Sequence, residues 1–173
     1  MIELVLGGAR SGKSSYAEQQ AIDSGLEVTY IATATVYDQE MADRVEHHRQ
    51  QRPDHWPVVE EPVELAEVLK REAREDRCLL VDCLTLWVSN LLCMDDTDAW
   101  PTKRQELLNV LSELPGRIIM VSNEVGMGII PMGELTRRYV DESGRLHQAI
   151  ARSADKVTFV AAGLPLVMKG SKH

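Results

Sequence analysis

The sequence is poor in the features that mark several protein classes. It has three cysteines and no Cys-x-x-Cys pair, which indicates neither a disulfide framework nor a zinc site. Aromatic residues make up only 5% of the chain. Lysine and arginine number 19 against 27 acidic residues, so the formal net charge is -8. Because proteins that bind a nucleic acid duplex usually carry a basic surplus, we expect no nucleic acid partner.

Long apolar runs are also missing. The most apolar stretch, residues 78–94, is interrupted by Asp82, Thr85, Ser89 and Asn90, and this favours a strand followed by a buried helix over a membrane span. The first residues include no basic region and no long apolar stretch, so we expect no signal peptide. We expect the three cysteines to be buried free thiols in a reducing compartment, and therefore predict a cytoplasmic protein.

The remaining composition is that of a globular protein, with 44% hydrophobic and 27% charged residues in 173 positions. We expect residues 1–173 to form a single nucleotide-binding domain. Strand-like and helical segments alternate along the chain, and this pattern predicts an α/β fold with a mostly parallel central sheet flanked by helices. The predicted strands are 2–6, 27–33, 78–83, 117–122 and two runs within 157–168, and the predicted helices are 13–23, 39–51, 62–74, 102–114 and 132–153.

A glycine-rich segment follows the first predicted strand and opens the first helix. It fits the phosphate-loop pattern G-x-x-x-x-G-K-[ST]. Its glycines allow the backbone to approach an anion closely, and its amides and the helix N-terminus attract phosphate oxygens. The lysine supplies a charge to the β- and γ-phosphates, and the following hydroxyl suits Mg²⁺. The predicted nucleotide-binding residues here are Gly7, Gly8, Ala9, Arg10, Ser11, Gly12, Lys13 and Ser14, with Lys13 also catalytic and Ser14 a metal ligand.

Asp82 ends the apolar run 78–81. Ligands of open α/β sheets bind at the carboxyl ends of the strands, and a carboxylate in that place can hold Mg²⁺. We therefore predict Asp82 as a second metal ligand. The alternative is that Asp82 only caps the helix that begins near Leu84.

The helix predicted at 39–51 carries two adjacent histidines. Met41, Val45 and His48 share one stripe of the helix, so His48 is expected to face the protein and His47 to face solvent. An inward neutral imidazole can act as a nucleophile, and the alternative is a half-buried histidine that only packs. Arg49 and Arg52 follow, and guanidinium groups suit phosphate.

The combined motifs resemble one family along nearly the whole chain. It is the bifunctional adenosylcobinamide kinase / adenosylcobinamide-phosphate guanylyltransferase family of cobalamin biosynthesis. Beyond the phosphate loop, the resemblance rests on Tyr-Ile-Ala-Thr at 30–33, Asp-Gln-Glu-Met-Ala at 38–42, Arg-Val-Glu-His-His-Arg at 44–49, Arg-Pro at 52–53, Trp56, Glu-Glu-Pro at 60–62, Val-Asp-Cys-Leu-Thr at 81–85, Ser-Asn-Glu-Val-Gly-Met-Gly at 122–128, and Pro131.

The resemblance implies two reactions. Adenosylcobinamide is phosphorylated with ATP or GTP, and GMP is then transferred from GTP to adenosylcobinamide phosphate, which yields adenosylcobinamide-GDP and pyrophosphate. The transfer passes through a GMP–histidine intermediate, which the family pattern places on His48, with His47 as the alternate. Mg²⁺ is the implied cofactor, and a homo-oligomer, expected to be a trimer, is the implied assembly. The further nucleotide-binding residues that the resemblance implies are Ile31, Ala32, Thr33, Arg49, Gln50, Gln51, Arg52, Glu60 and Asp82.

Two other functions fit parts of the pattern. A single-function small-molecule kinase would use the phosphate loop without a covalent nucleotidyl intermediate, and its histidines would only pack. A nucleotide-binding switch would have no small-molecule substrate at all. Formation of a GMP adduct and consumption of nucleotide that depends on adenosylcobinamide distinguish the three.

Overall fold

The structure is a computed structural model, and it describes residues 1–35 and 38–170. Within these two ranges, seven strands form one sheet in the order β3-β2-β4-β5-β1-β6-β7. All neighbouring pairs are parallel except β6 and β7, which are antiparallel. The prediction of a mostly parallel sheet is therefore confirmed. The strands are β1 (Ile2–Gly7), β2 (Glu27–Ala32), β3 (Val58–Glu60), β4 (Arg77–Asp82), β5 (Arg117–Asn123), β6 (Lys156–Ala161) and β7 (Leu164–Lys169).

Helices cover both faces of the sheet. They are α1 (Lys13–Asp23), α2 (Gln39–Gln51), α3 (Leu65–Glu72), α4 (Leu84–Leu92), α5 (Ala99–Leu111) and α6 (Glu134–Ser153). Side chains of α3, α4, α5 and α6 pack in one core cluster on one face of the sheet. Ala17 and Ala21 of α1 belong to the cluster on the other face, together with Tyr30 and Trp56. The central strands are buried on both faces, which explains their nearly continuous apolar sequences.

Two predicted helix starts are wrong. The third helix begins at Leu65 rather than at Pro62, because the Glu61 carboxylate accepts hydrogen bonds from the amides of Val63 and Glu64 and holds this segment in a turn. The helix predicted at 102–114 is α5, which begins at residue 99 and includes Pro101. Proline is tolerated there because amides of the first helical turn need no partner within the helix.

The cysteine prediction holds for two of the three residues. Cys78 and Cys83 are buried, whereas Cys93 is exposed at the C-terminal end of α4, and all three are free thiols. Burial raises the pKa of both buried thiols to about 11, so they stay protonated near neutral pH. Within residues 1–35 and 38–170, no helix combines the length and the apolar character needed to cross a membrane.

Candidate active site

The carboxyl ends of four neighbouring strands meet at one edge of the sheet. Gly7 of β1 lies beside Asn123 of β5, and Ala32 of β2 lies beside Asp82 of β4. The amide of Glu124 donates to the Gly7 carbonyl oxygen, so the segment after β5 is tied to the start of the phosphate loop. The phosphate loop and Asp82 therefore share the edge where ligands of α/β proteins bind.

Close backbone packing fixes the shape of the phosphate loop. A Cβ on Gly7 would meet the Ser11 hydroxyl and would lie 2.6 Å from the Val160 carbonyl oxygen. Gly12 has a φ of 93°, in the left-handed region that favours glycine. The Gly163 amide donates to the Ser11 carbonyl oxygen at 2.7 Å, so the turn between β6 and β7 is bonded to the loop and supports it. Close backbone contacts and this hydrogen bond thus hold the loop in place.

Lys13 begins α1, and its side chain folds back onto the phosphate loop. Its side chain is 9% exposed, and its Nζ donates to the Gly8 carbonyl oxygen at 3.1 Å. Burial lowers the pKa of Lys13, and the charge of Asp82 opposes that shift. Ser14 is partly buried at the next position, in the first turn of α1. Ala9 and Arg10 are exposed, and Arg10 has a positive φ of 53°.

Asp82 does not cap α4. The N-cap of that helix is Cys83, whose side chain makes no capping bond. One Asp82 oxygen, Oδ2, accepts a 2.5 Å hydrogen bond from the Tyr30 hydroxyl. Thr33 stabilises the same strand ends, because its hydroxyl donates to the Cys83 carbonyl oxygen and accepts from the Cys83 amide. The carboxylate of Asp82 is therefore held at the sheet edge and is available to a ligand.

The histidine helix is only lightly packed. His48, Met41 and Val45 are half-buried and His47 is exposed, which confirms the predicted faces of α2, but no residue of the helix is fully buried. The Nδ1 atom of His48 is buried and has no hydrogen-bond partner among the described residues. His47 instead bonds to Gln51, one turn further along α2. Within the described residues, no hydrogen bond or ion pair joins either histidine to the phosphate loop.

The C-terminal end of α2 is attached to β2. Arg52 ends the helix, and its guanidinium carbon lies 3.9 Å from the centre of the Tyr30 ring. Trp56 is buried in the same core cluster as Tyr30, and the Tyr30 amide donates to the Pro57 carbonyl oxygen. Tyr30 therefore contacts both Asp82 and the end of the helix that carries His48. Sequence reasoning quoted Tyr30 only as part of a motif and gave it no role.

Glu18 is a second residue of this site that sequence reasoning missed. It belongs to α1 and is only 9% exposed. Burial, together with the negative charge of Asp82, raises its pKa to about 7, and the positive charge of Arg52 opposes the shift. The sequence did contain a signal, since Glu18 follows Ser14 by four residues and so lies on the same side of α1 as the end of the loop.

The other predicted nucleotide-binding residues differ in how they are placed. The Ile31 side chain is fully buried in the core, so only its backbone is available to a ligand. Ala32 pairs with Glu60, whose exposed side chain ends β3 at the same sheet edge. Three other predicted nucleotide-binding residues are exposed on α2, and their side chains contact only other side chains of the same helix: Arg49, Gln50 and Gln51.

The protein oxygens at this edge fit a magnesium ion. Ser14 and Asp82 offer a hydroxyl and a carboxylate, which are hard oxygen donors. Across the described part of the chain, no group of three or more histidine, cysteine, aspartate or glutamate side chains is arranged to hold a metal. Mg²⁺ suits such a sparse donor set, because it usually takes one or two protein ligands and completes its shell with phosphate oxygens and water.

Comparison with known proteins agrees with this geometry. The family model described as cobinamide kinase / cobinamide phosphate guanyltransferase matches residues 3–168. The chain is 59% identical to the bifunctional adenosylcobalamin biosynthesis protein CobP of Pseudomonas aeruginosa, and the match covers 98% of both chains. It is 40% identical to the bifunctional adenosylcobalamin biosynthesis protein CobU of Escherichia coli K12, over 98% of this chain and 100% of that protein.

Among solved structures, the RadB recombinase resembles the chain with a TM-score of 0.53 at 15% identity, over 91% of this chain and 73% of that one. This likeness supports the phosphate-loop α/β fold alone. The family match and the two relatives confirm the prediction of an enzyme with kinase and guanylyltransferase activities. The chain therefore belongs to the cobinamide kinase / cobinamide phosphate guanyltransferase family.

Proposed function

We propose that this protein phosphorylates adenosylcobinamide with ATP or GTP and then transfers GMP from GTP to adenosylcobinamide phosphate through a GMP adduct of His48. The observation that carries the proposal is the chain of contacts at the sheet edge. Asp82 bonds to Tyr30, and the Tyr30 ring supports Arg52 at the end of the histidine helix. One triphosphate site and one nucleophile thus belong to a single structural unit, and we propose that residues 1–173 act as one nucleotide-binding domain.

The kinase step needs only the phosphate loop and its neighbours. Amides of residues 8–14 face the phosphates, and Lys13 places a positive charge beside the transferred group. Ser14 and Asp82 would hold Mg²⁺, which neutralises charge on the phosphate oxygens when it is bound. The acceptor hydroxyl of adenosylcobinamide attacks the γ-phosphorus, the bond to the β-phosphate oxygen breaks, and the hydroxyl proton leaves to solvent.

The transfer step needs the histidine. A lone-pair nitrogen of neutral His48 attacks the α-phosphorus of GTP, a P–N bond forms, and the bond to the β-phosphate oxygen breaks as pyrophosphate leaves. A phosphate oxygen of adenosylcobinamide phosphate then attacks the same phosphorus, and the P–N bond breaks. Lys13 and the loop amides stabilise the charge that develops on the leaving pyrophosphate.

The transfer step also requires His48 and the loop to come together. The light packing of α2 supports an approach by movement of the helix, and a neighbouring subunit is the other route. We propose a homo-oligomer, expected to be a trimer. Its support is the strongly apolar surface that follows β5, where Met127, Ile129, Ile130 and Met132 are between 74% and 97% exposed. Apolar patches of this kind mark protein interaction surfaces.

Mass mapping of the GMP adduct tests the proposal. The protein is incubated with GTP and Mg²⁺, and the digest is searched for a peptide that carries GMP. We expect the adduct on His48 in the wild type and none in His48→Ala, while His48→Ala retains phosphorylation of adenosylcobinamide. His47→Ala is the matched control and should keep the adduct. An adduct of normal yield in His48→Ala, or its loss only in His47→Ala, contradicts the assignment.

A single-function kinase is the second candidate. The observation in its favour is that neither histidine bonds to the phosphate loop among the described residues, while the loop and Asp82 are already assembled. The same experiment separates the two functions, since a kinase of this type forms no covalent adduct and releases no pyrophosphate from GTP.

A further inference from the structure

We propose that Tyr30 is a positioning residue with two separable tasks: its hydroxyl orients the metal-binding carboxylate of Asp82, and its ring presents Arg52 and the histidine helix to the nucleotide. The inference rests on the proposed function and deepens it, because it assigns the coupling between the triphosphate site and the nucleophile to one side chain. Tyr30 is 3% exposed, so it acts from within the fold rather than as a substrate contact.

The first task follows from the pairing of β2 and β4. Ala32 lies directly beside Asp82, and Tyr30 is two residues earlier on β2, so Tyr30 and Asp82 are on the same face of the sheet. A long side chain reaches such a diagonal neighbour, and the Tyr30 hydroxyl does so at 2.5 Å. The bond uses one acceptor site of Oδ2 and orients the carboxylate of Asp82. Oδ1 accepts no hydrogen bond among the described residues and would remain free to hold Mg²⁺ or a water bound to it.

The hydroxyl of Tyr30 can only be a donor in this bond. A carboxylate oxygen offers acceptor sites only, so the Tyr30 hydroxyl donates to Oδ2 of Asp82, and the bond is of the charge-assisted kind.

The second task follows from the stacking of Arg52. The guanidinium carbon of Arg52 lies 3.9 Å from the centre of the Tyr30 ring, and among the described residues its N–H groups make no hydrogen bond, so they stay available to phosphate. Arg52 follows His48 by four residues, which is about one helical turn, so the position of Arg52 also sets the position of the end of α2 near His48. Because the side-chain bonds of α2 in the described structure run within the helix and its N-cap, this stack is a main attachment of that end to the sheet.

Two substitutions separate the tasks. Tyr30→Phe removes the hydroxyl and keeps the ring, and Tyr30→Leu removes both. Tyr139→Phe is the matched control, since it removes a partly buried hydroxyl that donates to the Thr85 carbonyl oxygen on the opposite face of the sheet. For each protein, Mn²⁺ binding in the presence of GTP is followed by electron paramagnetic resonance, and kinase turnover and the yield of GMP adduct are measured at saturating Mg²⁺.

We expect Tyr30→Phe to weaken Mn²⁺ binding about tenfold, because the Asp82 carboxylate loses the hydrogen bond that orients it before the metal binds. At saturating Mg²⁺ its ratio of adduct yield to kinase turnover should equal that of the wild type. Tyr30→Leu should weaken Mn²⁺ binding similarly and should also lower that ratio at least tenfold. Tyr139→Phe should change neither quantity. Unchanged or tighter Mn²⁺ binding in Tyr30→Phe overturns the first task.

A double-mutant cycle tests the second task. If Tyr30 acts on the transfer through Arg52, the variants Tyr30→Leu, Arg52→Leu and their combination should lower the adduct ratio by similar factors. Multiplicative losses in the combination overturn it. If Tyr30→Leu does not fold, Tyr30→Trp, which keeps a ring face and loses the hydroxyl, should behave as Tyr30→Phe does. A wild type without adduct refutes the proposed function, whereas a wild type with adduct and an unaffected Tyr30→Leu ratio refutes only this inference.

Discussion

Glu18 gives the fold a measurable dependence on pH. A carboxyl whose folded pKa is raised binds its proton more tightly in the folded state than in the unfolded state. Well below its ordinary pKa of 4.5 the Glu18 carboxyl is protonated in both states, and its pKa shift does not lower the free energy of unfolding. As the pH rises from 4.5 to about 7, the unfolded chain releases the proton while the folded chain retains it, and the free energy of unfolding falls. Above about pH 7 the full cost is present.

The size of the effect follows from the same shift. Raising the pKa from 4.5 to about 7 corresponds, at about 1.4 kcal/mol per pKa unit, to about 3 kcal/mol. Glu18→Gln removes the ionisable group and preserves the shape of the side chain. We therefore expect this variant to be more stable than the wild type by roughly 2–3 kcal/mol at pH 8, and the difference should fall to about 0.5 kcal/mol or less at pH 4.5.

Urea unfolding followed by tryptophan fluorescence measures the difference, because Trp56, Trp87 and Trp100 are all buried in the folded state. The titration is run between pH 4.5 and 8.5 with EDTA and without nucleotide, so that no ligand binds the folded state. Glu75→Gln is the matched control, since Glu75 is exposed, and its difference from the wild type should stay within about 0.5 kcal/mol throughout. A Glu18→Gln difference that does not change with pH would refute the reasoning.

Two further predictions concern the phosphate loop and a buried hydrogen bond. Gly7→Ala should weaken binding of a fluorescent GTP analogue at least tenfold, because the new Cβ would lie 2.6 Å from the Val160 carbonyl oxygen and displace the loop. Gly144→Ala is the control: Gly144 lies in open space on α6, and its substitution should leave binding unchanged. Ser122→Ala should cost about 1–3 kcal/mol in urea unfolding at pH 8, because it removes the 2.6 Å partner of buried His147 Nε2, and a loss below about 0.5 kcal/mol would contradict this.

The order of strands and helices could be predicted because each signal was local. The apolar runs, the glycines of the loop and the helical stripes all lie within short segments, and the structure confirms the mostly parallel sheet they indicate. The start predicted at Pro62 was wrong because proline marks a first turn without showing where that turn lies, and the start predicted at Thr102 was wrong because the amphipathic pattern does not include the first turn of α5. β3 was missed because it has three residues, and only its pairing with β2 makes it a strand.

The candidate site was predictable only in part, for the same reason. The phosphate loop is a contiguous motif, and Asp82 was found because it ends an apolar strand. The contact of Tyr30 with Asp82 depends on which strands are neighbours and on their register, and no local pattern specifies either. The stack of Arg52 on Tyr30 depends in addition on how the chain returns to the sheet after α2. These contacts join residues 22 and 52 positions apart.

In the proposed mechanism, the bonding of α2 explains how one site supports two reactions with different requirements. Asp38 caps the helix through the Met41 amide, and internal pairs, such as Arg44 with Glu40, support its helical form. Since an isolated helix of 13 residues is only marginally stable in water, its attachment near Tyr30 still matters. A helix that keeps its form by internal bonds and buries no residue can change position at little cost. If His48 carries the GMP adduct as proposed, guanylyl transfer depends on the position of α2 and kinase turnover does not, so at saturating Mg²⁺ changes in the attachment should alter guanylyl transfer and leave kinase turnover unchanged.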